Sequence, residues 1–125
     1  MGTNPAATVK AFNEAENYNG PALIIAYAHC IEQGLNTANG PERQKIAVES
    51  AHFPLYRYNP TAETKKLTLD SKAATISFAE TACAENRFKQ LVKIVGEEKA
   101  KEMLGRAEEG FKENYELLTK LADIS

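Results

Sequence analysis

The chain has little of what several classes of protein require. Its 125 residues contain only two cysteines, far apart in the sequence, which does not suggest a disulfide framework and favours a reducing, cytoplasmic compartment. Its 15 basic and 17 acidic residues leave no basic excess for binding a nucleic acid. The longest apolar run is far shorter than the roughly 20 residues that span a bilayer. Met1–Pro5 also lacks the basic residues that open a signal peptide, so we expect none.

Recognisable cofactor motifs are missing as well. The sequence has neither G-x-G-x-x-G nor G-x-x-x-x-G-K-S/T, and therefore no phosphate-binding loop of a known kind. It has no C-x-x-C either, and because a 4Fe-4S cluster needs four thiolates, this chain cannot hold one alone. The ordinary hydrophobic (43%) and charged (26%) fractions nevertheless predict a folded domain rather than disorder.

The most informative feature that is present is the apolar run Ala22–Cys30, bounded by Gly20-Pro21 and Gly34. Such a run predicts a buried strand of a parallel α/β sheet, with Cys30 at the carboxyl end, where cofactors sit in open sheets. A strand buried on both faces needs neighbours that a chain of this length cannot supply. We therefore expect an oligomer or a piece of a larger protein, with an exposed apolar surface where the missing sheet would dock.

Capping and periodicity signals divide the rest of the chain. Thr3 or Asn4 followed by Pro5 predicts a helix start, and this helix would carry Val9 and Phe12 on its apolar face. The other predicted elements are a helix over 41–50, strands over 55–58 and 67–69, helix over 76–95 with a break near 84–86, and a last helix over 97–122. The chain thus divides into a strand-containing part, 1–60, and a mainly helical part, 61–125.

Few residues could carry chemistry. Taken without outside knowledge, Cys30 is best interpreted as a buried structural thiol, since free cysteine is among the most buried residue types. Zinc bound by His29, Cys30, His52 and Cys83 is disfavoured, because adjacent residues on a strand point to opposite faces. Cys83 is expected in the core beside apolar neighbours, and His52 is expected to make a polar contact rather than act as a base.

Several motifs nevertheless resemble one family in their order along the chain. Y-A-x-C ends the apolar run at Cys30, and L-Y-R-Y-N-P and L-D-S-K follow at Leu55–Pro60 and Leu69–Lys72. The run E-N-R-F at Glu85–Phe88 matches again. Together they resemble the carboxyl-terminal region of pyruvate:ferredoxin (or flavodoxin) oxidoreductase, and the resemblance covers nearly the whole chain.

The resemblance implies a fragment of a multidomain enzyme that oxidatively decarboxylates pyruvate with coenzyme A to acetyl-CoA and carbon dioxide. That family uses thiamine diphosphate with magnesium and passes electrons through 4Fe-4S clusters to ferredoxin or flavodoxin. The resemblance makes residues 1–60 the trailing part of the thiamine-binding domain, followed by a helical extension over 61–125. It also makes Cys30 a ligand of the cluster nearest thiamine, with three ligands supplied from elsewhere in the intact enzyme, a homodimer. The alternative is a stand-alone interaction module or divergent remnant in which Cys30 is a buried structural thiol.

Overall fold

The computed structural model describes residues 4–125, in which helices predominate and the strands form one small sheet. The helices are α1 (Pro5–Asn17), α2 (Gly40–Glu49), α3 (Phe78–Ala82), α4 (Asn86–Val95) and α5 (Glu97–Ile124). The strands are β1 (Tyr56–Tyr58) and β2 (Leu67–Leu69), and two 3₁₀ turns span Ile31–Gln33 and Thr37–Asn39. The prediction that the chain contains both helices and strands is therefore confirmed. Within the described residues, no helix is both long and apolar enough to cross a membrane.

The start of α1 follows the predicted capping signal. The side-chain oxygen of Asn4 accepts a hydrogen bond from the Ala7 N–H at 3.0 Å, and Pro5 occupies the first helical turn, where its missing N–H costs nothing. Thr3, the other candidate cap, lies outside the described residues. Asn4 is the N-cap residue of α1.

The predicted apolar face of α1 is not packed. Val9 is 58% exposed and Phe12 is 49% exposed, and within the described part of the chain α1 buries no residue. The helical spacing of these side chains is right, but the surface that would cover them is not supplied by residues 4–125. The apolar face of α1 is thus available for contact with something else.

The predicted strand over Ala22–Cys30 is wrong for this chain. These residues form neither strand nor helix, and Leu23 and Ile25 are 84% and 68% exposed. A strand is stabilised by hydrogen bonds to neighbouring strands, and in the described residues the two strands that do form pair with each other. The apolar run therefore lies unpaired on the surface, as expected for an apolar surface whose sheet is missing.

The two predicted short strands do form, as an antiparallel hairpin rather than a parallel sheet. Tyr56 pairs with Leu69 and Tyr58 with Leu67. The central Arg57 donates to both oxygens of Asp70 at 2.6 and 2.8 Å. These bonds to Asp70 come first among the causes that raise the pKa of the Arg57 guanidinium.

The guanidinium of Arg57 also reaches α1. It donates to both carboxylate oxygens of Glu14, at 2.6 and 2.8 Å, so that one side chain joins β1, the residue after β2 and the first helix. Nε and Nη2 bond Asp70 bidentately, while Nη1 alone contacts both oxygens of Glu14. A planar guanidinium offers these three nitrogens at once, which a single ammonium nitrogen cannot reproduce. Arg57 is the link that holds α1 against the hairpin.

The hydrophobic core lies between α3 and α5. Phe78, Ala82 and Leu104 are buried together, and Phe88 and Phe111 pack against them with ring centroids 5.5 and 4.8 Å from Phe78. The predicted last helix forms as α5, and its apolar side chains Leu104 and Leu118 are buried, while Leu121 near its end is 39% exposed. The break predicted near residues 84–86 separates α3 from α4.

A carboxylate on α5 holds the start of α3. Glu108 accepts hydrogen bonds from the Ser77 hydroxyl at 2.6 Å, from the Ala79 N–H at 3.1 Å and from the Lys112 ammonium at 2.8 Å. The bond from Lys112, followed by those from Ser77 and Ala79, lowers the pKa of Glu108 to about 2. The negative charge thus sits at the positive end of the short helix α3.

Candidate functional site

Cys30 is exposed and immediately precedes the first 3₁₀ turn. Its backbone is extended, with φ −106° and ψ 129°, and its carbonyl accepts a hydrogen bond from the Gln33 N–H at 3.1 Å. The expectation of a buried structural thiol is therefore wrong here, because the segment that was to enclose Cys30 is itself uncovered. An exposed thiol in this position can reach a partner or an inorganic ligand.

The turn after Cys30 is attached to the start of α4. The Gln33 side-chain oxygen accepts from the Arg87 N–H at 2.9 Å, and the Asn86 amide donates to the Glu32 carbonyl at 3.3 Å. Gly34 closes the turn with φ +72°. None of these contacts is visible as a sequence pattern, because 54 residues separate each bonded pair.

The histidine before Cys30 packs on α2. A Cβ at Gly40 would collide with the His29 ring, so the glycine provides the space in which that ring lies. The Nδ1 atom of His29 is buried and has no hydrogen-bond partner among residues 4–125. His29 is therefore turned toward the protein, while the neighbouring Cys30 is exposed.

His52 lies among aromatic rings rather than making the polar contact expected of it. Its ring stacks on Phe78 at 5.0 Å and meets Phe111 at 4.8 Å and Tyr27 at 6.0 Å, centroid to centroid. Burial lowers its pKa, and the positive charge of Arg87 lowers it further. The opposing effect of nearby Glu85 is smaller, so His52 favours the neutral form.

A small cavity of about 20 Å³ adjoins this aromatic cluster. Its walls include Tyr27, Arg43, Ser50, His52 and Glu85. The buried Arg43 Nε and His52 Nδ1 atoms have no hydrogen-bond partner in the described part of the chain. The volume and the polar walls suit a single water molecule and exclude an organic substrate.

The four zinc candidates are not brought together. Within residues 4–125, no group of three or more His, Cys, Asp or Glu side chains is arranged to hold a metal ion. Cys83 caps the end of α3 and is exposed, so its expected place in the core is wrong. The helix packs Phe78 and Ala82 into the core with Leu104 of α5, and Cys83, just after its end, stays outside that cluster.

Comparison with known proteins matches the chain to one class of enzyme. No family model matches it. The pyruvate-flavodoxin oxidoreductase of Trichormus variabilis is 42% identical over 125 residues, which cover 98% of this chain and 10% of that protein. The pyruvate:ferredoxin oxidoreductase of Moorella thermoacetica is 42% identical over 126 residues, covering 98% and 11%. The pyruvate dehydrogenase [NADP(+)] of Cryptosporidium parvum is 41% identical over 106 residues, covering 74% and 6%. The chain thus spans about a tenth, or less, of the length of the curated relatives it matches.

Proposed function

This chain belongs, as one segment, to the pyruvate-flavodoxin and pyruvate:ferredoxin oxidoreductase family, and we propose that it works as part of such an enzyme. The intact cytoplasmic enzyme oxidatively decarboxylates pyruvate with coenzyme A, giving acetyl-CoA and carbon dioxide. Its electrons pass through 4Fe-4S clusters to ferredoxin or flavodoxin. The isolated chain is inactive, because it is about a tenth of the length of its relatives and its described residues gather no metal site.

The large exposed surface of the chain supports the proposal that it is a fragment of a larger enzyme. Its accessible area is 8681 Å², whereas a compact monomer of 13.7 kDa exposes about 6,600 Å². The excess includes large apolar side chains, among them Leu23, Ile25 and Ile31, which a soluble monomer would normally cover. The remainder of the oxidoreductase is the occupant we propose for this surface.

Cys30 is the residue that we propose as the cluster ligand. It lies at the end of the apolar segment, is exposed and precedes a turn that is bonded to α4. In this proposal Cys30 supplies one thiolate of the cluster, and the other three come from the rest of the enzyme. When bound, a 4Fe-4S cluster accepts and passes on single electrons. Thiamine diphosphate and magnesium bind upstream of this segment.

Within this scheme, residues 1–60 end the thiamine-binding domain and residues 61–125 form a helical extension. The extension supplies α3, α4 and α5, with their core at Phe78 and Leu104. Within it, α4 makes the contact to the turn after Cys30. This chain therefore contributes a ligand and the structure that supports it. It leaves the reaction at pyruvate to the rest of the homodimer.

The observation that carries this proposal is the exposed position of Cys30 at the end of the apolar segment, before the turn that is bonded to α4. Replacement of the residue tests it. In the intact oxidoreductase that contains this segment, Cys30→Ala should remove the paramagnetic resonance signal of one reduced cluster and lower the iron content by up to about four atoms. Cys83→Ala is the matched control, because Cys83 is also an exposed free thiol. It should leave every cluster in place. Full iron content and unchanged signals in Cys30→Ala would favour the interaction module instead.

A further inference from the structure

We propose that Gln33 and Asn86 are positioning residues that hold the backbone of Cys30 by anchoring the turn after it to the start of α4. This inference rests on the proposed role of Cys30 as a cluster ligand. A thiolate that shares a cluster with ligands from other parts of a protein must be held within a few tenths of an ångström. The structure shows which side of Cys30 can provide that restraint.

In the described chain, the residues before Cys30 do not provide this restraint. In the described chain, residues 22–30 form no regular hydrogen-bonded element, and Leu23 and Ile25 are largely exposed. After Cys30, by contrast, the Gln33 N–H donates to the Cys30 carbonyl at 3.1 Å. The Gly34 N–H donates to the Ile31 carbonyl at the same distance. The backbone of Cys30 is thus tied to the turn that follows it.

The Gln33 side chain joins this turn to α4 by capping the helix. The first N–H groups of a helix have no partner within it, and Glu85, at the N-cap position of α4, makes no side-chain capping bond within residues 4–125. Gln33 supplies the missing acceptor, since its oxygen lies 2.9 Å from the Arg87 nitrogen. One residue therefore donates to the Cys30 carbonyl through its backbone and accepts from α4 through its side chain.

Asn86 provides the second attachment. Its amide nitrogen donates to the Glu32 carbonyl at 3.3 Å, and a Cβ at Gly34 would lie 2.6 to 2.9 Å from its side-chain amide. The backbone of the turn at Gly34 is therefore in close contact with the Asn86 side chain. Helix α4 is in turn fixed to the core, because Phe88 meets Phe78 edge to face at 5.5 Å. The connection thus runs from the Cys30 carbonyl to the hydrophobic core.

Amide hydrogen exchange on this chain tests the anchor directly. In Gln33→Ala, the amide at position 33, which donates to the Cys30 carbonyl, should exchange about threefold to tenfold faster, as should the Arg87 amide. Gln33→Glu keeps an acceptor oxygen at a helix N-terminus and should restore slow exchange. Gln90→Ala, on an exposed position of α4, is the matched control. Unchanged exchange at position 33 in Gln33→Ala would overturn the proposal.

The second measurement separates the anchor from the ligand role. In the intact oxidoreductase, Gln33→Ala should retain the cluster but lose it to a chelator about tenfold faster, with an altered paramagnetic resonance line shape. Gln33→Glu should recover both properties. If Cys30→Ala removes a cluster and Gln33→Ala behaves as the wild type, the positioning role is refuted while the ligand role stands. If Cys30→Ala retains every cluster, both roles are refuted.

Discussion

The ionic contacts of Glu108 allow a sharp test of how α5 holds α3. Replacing it by glutamine removes the negative charge while keeping an oxygen that can accept from Ser77 and Ala79, which lie 2.6 and 3.1 Å from the carboxylate. The ion pair with Lys112, at 2.8 Å, is the interaction that is lost. Glu108→Gln therefore measures how much the negative charge, rather than the hydrogen bonds from Ser77 and Ala79, contributes to the free energy of unfolding.

The size of the effect follows from the pKa of Glu108. A fall from 4.5 to about 2 corresponds to at most about 3.4 kcal/mol of folding free energy. Solvent screens part of this, since the Lys112 side chain is 54% exposed, so we expect about 1–2 kcal/mol. Because the folded-state pKa is lowered, the contribution is fully present above pH 4.5. It is lost as the pH falls from 4.5 to about 2.

Urea unfolding followed by circular dichroism at several pH values between 7 and 2 provides the assay. Glu108→Gln should unfold with about 1–2 kcal/mol less free energy at pH 7, and the difference from the wild type should vanish near pH 2. Glu109→Gln, on the exposed side of the same helix, should change the unfolding free energy little at any pH. A deficit in Glu108→Gln that is the same at pH 7 and pH 2 would refute the reasoning.

Two further predictions concern Arg57 and the glycines. Arg57→Lys cannot keep the bidentate pairing with Asp70 together with the contact to Glu14, and it should lower the unfolding free energy by about 1–2 kcal/mol in the same assay. Arg106→Lys, on an exposed pair 3.9 Å apart, is its control, and equal effects of the two changes would contradict this role. Gly34→Ala should destabilise by about 1–2 kcal/mol, because its φ is +72° and its Cβ would strike Asn86. Gly110→Ala, with open space around its Cβ within the described structure, should stabilise by about 0.5–1 kcal/mol, and effects of the same sign would contradict the prediction.

Features that depend on residues close together in the chain could be predicted from the amino-acid sequence. Asn4 and Pro5 mark the start of α1, and the alternating residues around Arg57 form a strand. The apolar stripe of α5 places Leu104 in the core. Capping, strand alternation and helical spacing each act over a few residues, so they can be read from the chain directly. The ordered motifs likewise identified the family that the relatives confirm.

Which of these elements pack against one another depends on contacts between distant residues, and these are seen in the folded chain alone. The run Ala22–Cys30 has the composition of a buried strand, yet it lies exposed because burial depends on strands that the described chain does not contain. His52 lies among aromatic rings and Cys83 is exposed, and neither environment was expected. The reason is the same, because the packing of α3 on α5 decides which side chains are covered. The contact of Gln33 with Arg87 joins residues 54 positions apart. Such contacts form when helices dock, and no local pattern encodes them.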